Sequence, residues 1–298
     1  MVRQYKIHTN LDGTDDKVWD VTNGKVRFYQ PSNLGLQSTN NIWQSNGIGV
    51  MGTRSIKQPQ IEFKLETFGE SLEENYQLMK DFVNDILSKK FVTLEYQTEI
   101  FQVYADLALA DVTKTEGYGK NGTFSEKITF DIITKWYTYE NLTFEKIQNG
   151  QVLSGKSKIY GGTAPGSYKY VEGISYTYYG ESDIDRLSRW DIKDEIFSFT
   201  GILYPQLPKT PTGVRFLDDI GNEYTAIVFK TEQLQNYILI NTDVNDEIYQ
   251  GWNGTTPLNL FPVMDFERYR TRIIEKGQME LINLTKAEFK IKRKADFI

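Results

Sequence analysis

Alternation of apolar and polar residues with a period of two is the feature that most restricts the fold of this chain. The run Ile61-Glu62-Phe63-Lys64-Leu65-Glu66-Thr67-Phe68 shows it clearly, as expected of a strand with one buried and one wet face. Further strands are predicted at Gln4–His8, Lys25–Tyr29, Phe91–Tyr96, Gln102–Leu109, Ser125–Tyr137, Glu195–Tyr204, Val214–Leu217, Thr225–Phe229, Tyr237–Ile240, Glu247–Tyr249, Arg268–Ile274, Met279–Ile282 and Ala287–Arg293. The pattern predicts a mainly-β protein.

One segment, 71–90, has helical periodicity instead. Ser71 and Glu74 have the spacing of a capping box, and Lys89 and Lys90 suit the negative end of a helix dipole. The apolar stripe consists of Leu72, Tyr76, Met79, Val83, Ile86 and Leu87. We therefore predict a single helix that packs on a sheet.

The length of 298 residues favours two domains. We place the boundary near Trp136, which gives a first domain at 1–136, a β-sandwich or α+β unit that contains the helix. A second domain at 137–298 has short strands and frequent turns, as in a β-sandwich. No apolar run reaches the ~20 residues of a membrane helix, and residues 1–10 do not resemble a secretory signal.

Residue usage argues against catalysis and nucleic-acid binding. The chain has no Cys and one His, His8, so thiolate zinc sites and most general-base schemes are excluded, and no nucleotide or hydrolase motif is present. The net charge is -6, and the one basic run, Lys290 with Lys292, Arg293 and Lys294, alternates with apolar residues. We interpret this run as the polar side of a final strand, and we expect no cofactor, no metal and no nucleic acid.

Carboxylates suggest a hydrolase only weakly. The densest acidic group interleaves with Arg186, Arg189 and Lys193, which is typical of a solvated, charge-balanced face. Its members are Asp183, Asp185, Asp191, Asp194 and Glu195. The segment Asp243–Glu247 lacks the glycine and closing Glu of a calcium loop, so we interpret it as a turn. The chain is therefore predicted not to be an enzyme, with a carboxylate hydrolase as the last-ranked hypothesis.

Tyrosine is unusually abundant, with 19 Tyr beside 17 Phe, and part of it is concentrated between Tyr160 and Gly180. This stretch is rich in Gly and Ser and poor in aliphatic residues, so it cannot build a core alone. It is either a pair of exposed hairpin strands or a projection that offers Tyr to a partner. The candidate partner-binding residues are Tyr160, Tyr168, Tyr170, Tyr176, Tyr178 and Tyr179.

These segments together carry a resemblance to a known family. The run Gly47-Ile48-Gly49-Val50-Met51-Gly52, the strand at 61–68, the helix at 71–90 and the strands at 91–96 and 130–137 resemble the first domain of siphophage distal tail proteins. The whole chain is similar to the distal tail proteins (Dit) of lactococcal siphophage baseplates. Its second half, with the run Tyr237–Thr242 and the turn Gly277–Glu280, resembles their galectin-like domain.

The resemblance implies a structural role in the virion, assembled in the host cytoplasm. Family members form a hexameric ring through their first domains and join the tail tube to a tail-tip or tail-associated lysin protein. In baseplate-bearing members the second domain carries an inserted arm that holds trimers of receptor-binding protein. Because the region after Trp136 is longer than a plain sandwich needs, we place such an arm somewhere in 141–189 on composition.

Sugar binding is the alternative function, that of a carbohydrate-binding module on a sandwich scaffold, motivated by Trp252 and the Tyr168–Tyr179 stretch. Sugar-binding galectins use a His, and the second half of this chain has none. A galectin-like shape is therefore not expected to bring galectin-like sugar binding, and host recognition is expected to belong to a partner.

Overall fold

Antiparallel strands account for most of the chain whose structure is described. The computed structural model describes residues 3–13, 15–35, 37–57, 60–114, 125–146, 157–159, 176–177, 186–244, 246–269, 274 and 276–295. Within these residues there is one α-helix among many strands, so the predicted mainly-β fold with one helix is confirmed. The chain divides into two units, Met1–Thr138 with Ala295–Ile298, and Tyr139–Lys294.

The first unit contains a bent antiparallel sheet. Its described elements are β1 (Gln4–His8), β2 (Val18–Asp20), β3 (Val26–Ser32), β4 (Gln37–Ser45), β5 (Ile48–Lys57), β6 (Ile61–Thr67), α1 (Leu72–Leu87), β7 (Val92–Gln97), β8 (Gln102–Thr113) and β9 (Ser125–Ile132). The sheet runs in the order β2-β1-β7-β8-β9-β6-β3, because β8 pairs with β7 through its first half and with β9 through its second. Strands β4 and β5 pair with each other as a separate two-stranded sheet.

The period-two pattern of β6 produces the core of this unit. Ile61, Phe63, Leu65 and Thr67 are buried while the residues between them are half-buried, which is the alternation that the sequence predicts. The core also takes aromatic rings from other elements, and Phe28 of β3 stacks on Phe63 with ring centroids 4.6 Å apart.

Helix α1 begins where the capping box predicts. Ser71 is the N-cap, and its hydroxyl accepts a hydrogen bond from the backbone N–H of Glu74 at 3.1 Å. The predicted stripe is partly wrong, since Leu72, Tyr76 and Leu87 are exposed. The buried face is centred on Asn75, Phe82 and Ile86, with Leu78, Met79 and Val83 packed beside the core.

The buried face of α1 differs from the predicted stripe because of contacts with neighbouring elements. Phe82 makes edge contacts with the rings of Trp19 and Phe28, at centroid distances of 5.2 and 5.8 Å. Asn75 is buried because its side chain accepts from the N–H of Gly69 and donates to the carbonyl of Ser71. A polar residue can thus lie on the buried face, which hydrophobic periodicity alone does not predict.

Two predicted strands differ from the structure. The stretch Ser125–Tyr137 is interrupted, because β9 ends at Ile132 and the next strand, β10, runs over Tyr137–Lys146. At Arg268–Ile274, Arg268 lies in a turn and Ile274 forms an isolated bridge to Ile196. Residues 270–273 lie outside the described part of the chain.

The second unit is a two-sheet sandwich. Its further strands are β11 (Ser157–Ile159), β12 (Tyr176–Thr177), β13 (Arg186–Ile192), β14 (Ile196–Pro205), β15 (Thr212–Leu217), β16 (Glu223–Phe229), β17 (Tyr237–Asn241), β18 (Ile248–Trp252), β19 (Pro257–Asn259), β20 (Gly277–Ile282) and β21 (Leu284–Lys294). One sheet has the order β19-β18-β17-β14-β21-β10 and the other β13-β20-β15-β16. Apolar side chains from both sheets, including Phe199, Phe216 and Phe289, fill the core between them.

The final basic strand is mostly as predicted. Phe289 and Ile291 of β21 point into the core, and the basic residues alternate with them. The Nζ of Lys290 lies 4.0 Å from the ring centroid of Tyr139. Lys292 is buried, and its Nζ lies 2.9 Å from the Oδ2 of Asp243. A buried charge of this kind requires its partner.

The one histidine, His8, is buried between two carboxylates. The Nδ1 of His8 lies 2.7 Å from the Oδ2 of Asp16, and its Nε2 lies 2.9 Å from the Oε2 of Glu95. Lys6 donates to the other Glu95 oxygen at 2.8 Å. Burial raises the pKa of Glu95, but the hydrogen bonds and positive charges of Lys6 and His8 outweigh it, so the carboxyl pKa lies below its ordinary value.

We expect Glu95→Gln to destabilise the protein by about 1.5–3 kcal/mol at neutral pH, because a buried charged hydrogen-bond partner is lost. Since the folded pKa of Glu95 is depressed, its contribution is complete above the unfolded pKa and disappears as pH falls through the folded pKa. Urea unfolding of wild type and variant from pH 7 to pH 3 should therefore converge at acid pH. Glu232→Gln, which removes an exposed pair with Lys209, is the control and should change little. A constant difference across this range would contradict the assignment.

Candidate functional site

The hairpin made by β4 and β5, Gln37–Lys57, is the most unusual surface of the first unit. It is inserted in the chain between β3 and β6, which pair with each other, and it forms its own two-stranded sheet. Its turn residues, Asn46 and Gly47, have φ of 50° and 80°, the left-handed pair of a type I′ turn. Among the described residues, its strands pair only with each other.

The distal half of this hairpin exposes large apolar side chains. The exposed fractions are 54% for Ile42, 68% for Trp43, 70% for Ile48, 62% for Val50 and 51% for Met51. Scattered exposed apolar residues are ordinary, but five within one short ribbon are a concentration of exposed apolar surface, which is typical of interaction sites. The hairpin is therefore a candidate assembly surface.

The charge of the hairpin differs from that of the chain. It carries Arg54 and Lys57 and no acidic residue, whereas the whole chain has 40 acidic and 34 basic residues. Arg54 lies in the half nearest the body, where its Nε donates to the Oδ1 of Asn40 at 2.9 Å. The hairpin is thus a basic, partly apolar extension of an acidic protein.

A second exposed apolar surface lies at the edge of the sandwich in the second unit. Leu258, Phe261, Val263 and Phe266 are all exposed, and the rings of Phe261 and Phe266 meet edge to face at 5.0 Å. Leu258 lies in β19, the last strand of its sheet among the described residues, and the other three residues follow that strand.

Most of the predicted Tyr-rich site lies outside the described residues. Tyr176 lies in β12, which pairs in parallel with β11, and β11 pairs in parallel with β10. Tyr160, Tyr168, Tyr170, Tyr178 and Tyr179 lie outside the described residues. Their role in partner binding stays a prediction.

Trp252, the residue that motivated sugar binding, is engaged within the protein. Its ring stacks on that of Tyr237, with centroids 5.8 Å apart and planes 17° apart. Tyr237 lies 6.5 Å from Tyr204, which in turn has the Nζ of Lys286 at 5.4 Å from its ring centroid. Sugars stack on exposed ring faces, and here one face of Trp252 is covered by Tyr237. The neighbouring rings of Trp252, Tyr237 and Tyr204 are better explained as packing between adjacent strands.

The acidic residues show no paired catalytic arrangement in the described part of the chain. Asp194 and Glu140 both lie near Arg293, at 3.4 and 3.0 Å from its Nη1, and Glu195 lies 3.8 Å from Lys294. Asp183 and Asp185 lie outside the described residues, and of Asp191 only the backbone is described. The described members are thus charge-balanced, as the sequence predicts. No group of three or more metal-ligating side chains occurs among the described residues.

The suspected calcium-like segment is a turn. Asp246 donates its N–H to the carbonyl of Asp243 at 2.9 Å, and the Asp243 carboxylate is held by Lys292. That carboxylate is therefore already neutralised by a buried ammonium group. In the described residues, no helix is long and apolar enough to cross a membrane.

A mainly-β chain with two separate cores and a long exposed apolar hairpin has the features of a structural subunit that assembles with other chains. Comparison with known proteins agrees. Residues 4–133 match the model for the distal tail protein N-terminal domain, and residues 135–298 match that for the Dit C-terminal domain. The chain belongs to the distal tail protein (Dit) family of phages.

The relatives are close over their full lengths. The chain is 93% identical to the distal tail protein of Lactococcus phage p2 and 91% identical to that of Lactococcus phage SK1, each over 298 residues and 100% of both chains. A chain in the structure of the phage p2 baseplate in its activated conformation with Ca matches at 93% identity and a TM-score of 0.79, covering 100% of both. The chain is thus a structural component of a phage baseplate and of the virion.

A distant structure extends the similarity of fold. The crystal structure of the Dit protein of phage SPP1 matches with a TM-score of 0.54 at 10% identity, covering 99% of this chain and 100% of that one. At this identity the match concerns the fold alone.

The hairpin was missed as a functional element by the sequence reasoning, although a signal was present. Ser45-Asn46-Gly47-Ile48 has the Asn-Gly pair that is the strongest short hairpin signal, with apolar residues on each side. We used Gly47–Gly52 only as part of a family resemblance. Its exposure could not be predicted, because the same apolar residues could have lain in a core.

Trp252→Ala should lower the stability of the second unit by about 1–3 kcal/mol, because a partly buried aromatic stack is removed. Calorimetric titration of the wild type with cell-wall saccharides should show no saturable binding in the millimolar range. Trp43→Ala, which removes an exposed ring from the first unit, is the control and should leave the second unit's unfolding unchanged. Saturable saccharide binding that disappears in Trp252→Ala would support the carbohydrate-binding alternative instead.

Proposed function

We propose that this protein is the hub of a siphophage tail tip, a hexameric ring that links the tail tube to the tail-tip protein. The single observation that carries the ring is the hairpin Gln37–Lys57, with its exposed apolar distal half. Its relatives' place in a baseplate, a multi-subunit assembly, supports the same proposal.

The hairpin requires a partner for physical reasons. A two-stranded hairpin alone is marginally stable in water, and this one exposes the side chains that would normally stabilise it by burial. A ring of identical subunits supplies a partner for each hairpin, because a heterologous interface joins two different faces and closes on itself. The hairpin is one face, and the body of the next copy supplies the other.

The second unit is proposed to dock trimers of receptor-binding protein. Among the described residues, the stretch between Lys146 and Arg186 contributes only the short strands β11 and β12, beside β10. We propose that an arm within 141–189 carries this contact and that its tyrosines form the binding surface. Host recognition then belongs to the partner, and this protein contributes geometry without chemistry.

The purified protein at high concentration should give a light-scattering mass of six times 34.6 kDa, alone or with its receptor-binding protein. Negative-stain electron microscopy of the same sample should show six-fold rings. Ring closure in a heterologous interface predicts a defined copy number rather than a ladder of sizes. A strict monomer under both conditions would count heavily against the hub.

Replacement of the six candidate tyrosines by Ser should weaken binding of receptor-binding protein by at least about 30-fold, since hot-spot aromatics carry much of an interface's energy. The residues are Tyr160, Tyr168, Tyr170, Tyr176, Tyr178 and Tyr179. The matched control is Tyr76→Ser, an exposed tyrosine on α1 of the first unit. Calorimetry with purified receptor-binding protein measures both. Equal affinity for the wild type and the sixfold variant would remove the tyrosines from the docking surface.

A further inference from the structure

Asparagine followed by glycine is a dipeptide prone to rearrange without an enzyme, because glycine has no Cβ to shield its amide nitrogen from the asparagine side chain. The chain contains five such pairs. Three of them lie in the described residues: Asn23–Gly24, Asn46–Gly47 and Asn253–Gly254. All three asparagines are exposed, so exposure alone does not distinguish them.

The rearrangement brings two groups of such a pair together. The amide nitrogen of the glycine must reach the side-chain carbonyl carbon of the asparagine. A hydrogen bond to either group slows this approach, because the bond has to break first, and so does a backbone that opens only at high cost. The three pairs therefore differ by what holds their groups in place.

The pair Asn46–Gly47 is held least. Among the described residues, neither the side-chain amide of Asn46 nor the N–H of Gly47 has a hydrogen-bond partner. A Cβ placed on Gly47 would meet no atom within 4 Å, so the space around this residue is open. The turn is closed by the pair Ser45 and Ile48 of a ribbon whose strands, in the described part of the chain, pair only with each other. Such a ribbon opens at low cost.

The pair Asn23–Gly24 is held most. The N–H of Gly24 donates to the carbonyl of Asp20 at 2.9 Å, so the attacking nitrogen is engaged, and a Cβ on this glycine would overlap the same carbonyl oxygen. The N–H of Asn23 donates to the Oδ1 of Asp20 at 2.9 Å. The turn lies between Val21 and Val26, which are buried in the first core, so opening it disturbs the packing.

The pair Asn253–Gly254 is intermediate. The side-chain amide of Asn253 donates to the Oε1 of Gln233 at 3.4 Å, a long hydrogen bond. The pair lies between β18 and β19, where Trp252 is paired with a strand on each side. Opening this turn therefore disturbs a larger sheet, which the hairpin of the first unit does not require.

We infer that Asn46 is a site of spontaneous covalent modification, at which the unassembled protein converts the asparagine to aspartate or isoaspartate. The amide nitrogen of Gly47 forms a bond to the side-chain carbonyl carbon of Asn46. The bond from that carbon to the side-chain nitrogen breaks, and ammonia leaves with the proton of the attacking nitrogen. Water then adds to either carbonyl of the resulting cyclic imide and reopens the ring, without oxidation or reduction.

The product changes the hairpin in two ways. The hairpin Gln37–Lys57 has no acidic residue, and a carboxylate at position 46 adds a negative charge close to the exposed side chain of Ile48. Isoaspartate also lengthens the main chain by one carbon atom, which does not match a two-residue turn with φ of 50° and 80°. A further consequence rests on the proposed function: burying the new charge in a ring interface is unfavourable, so modified protein assembles less well.

Incubation of the purified full chain in mildly alkaline buffer, followed by peptide mapping with mass spectrometry, tests the site directly. Asn46 should convert at least about tenfold faster than Asn23, because the hydrogen bond of Gly24 must break first, and it should also convert faster than Asn253. The two other described pairs are thus internal controls in the same molecule. Absence of conversion at Asn46, or equally fast conversion at either control site, would overturn the assignment.

The variant Asn46→Gly separates the modification from its effect on assembly. Glycine lacks the reactive amide and accepts the positive φ of this position. After the same incubation, wild type should need at least about tenfold more protein to form rings in light scattering, and Asn46→Gly should assemble like its fresh sample.

Two outcomes distinguish the modification from the ring. Converted wild type that assembles like fresh protein would overturn the effect on assembly, while the mapping still decides the modification site. If fresh protein forms no ring with or without receptor-binding protein, the proposed function fails, and conversion of Asn46 ahead of the two control sites would still support the modification.

Discussion

The antiparallel ladder between β3 and β6 is the constraint on which the functional part of the first unit depends. Its buried side carries Phe28 and Phe63, whose rings stack at 4.6 Å. Phe82 of the helix contacts Phe28 edge to face at 5.8 Å. This packing holds the base from which the hairpin extends. A hairpin without its own core can present an ordered surface only if its two strands leave a rigid ladder in fixed register.

The rest of the first unit fixes that base in a second way, through a buried polar network. The two ring nitrogens of His8 lie within hydrogen-bond distance of Asp16 and Glu95, at 2.7 and 2.9 Å. The network joins β1, the following loop and β7, while Lys89 after the helix bonds the same loop through Asp15. Sheet and helix are thereby fastened at their polar edge as well as through the core.

In the second unit, several charged and aromatic side chains are paired with one another inside the unit. Arg215 lies 2.5 Å from the fully buried Glu280, and Arg268 binds Glu223 through two nitrogens, which holds the pKa of Glu223 below its usual range. Lys292 binds Asp243, and Trp252 stacks on Tyr237. These described side chains are thus held by partners within the sandwich. This agrees with a family whose members are structural parts of a phage tail.

The sequence by itself determined the mainly-β fold and the helix with its Ser71 cap, since period-two alternation and cap spacing are local properties. The tertiary structure alone decided which helix face is buried, because Asn75 has partners that periodicity cannot show. It also decided that Trp252 is covered and Trp43 exposed. Both are aromatic residues in strands, and only the presence or absence of a packed neighbour distinguishes them.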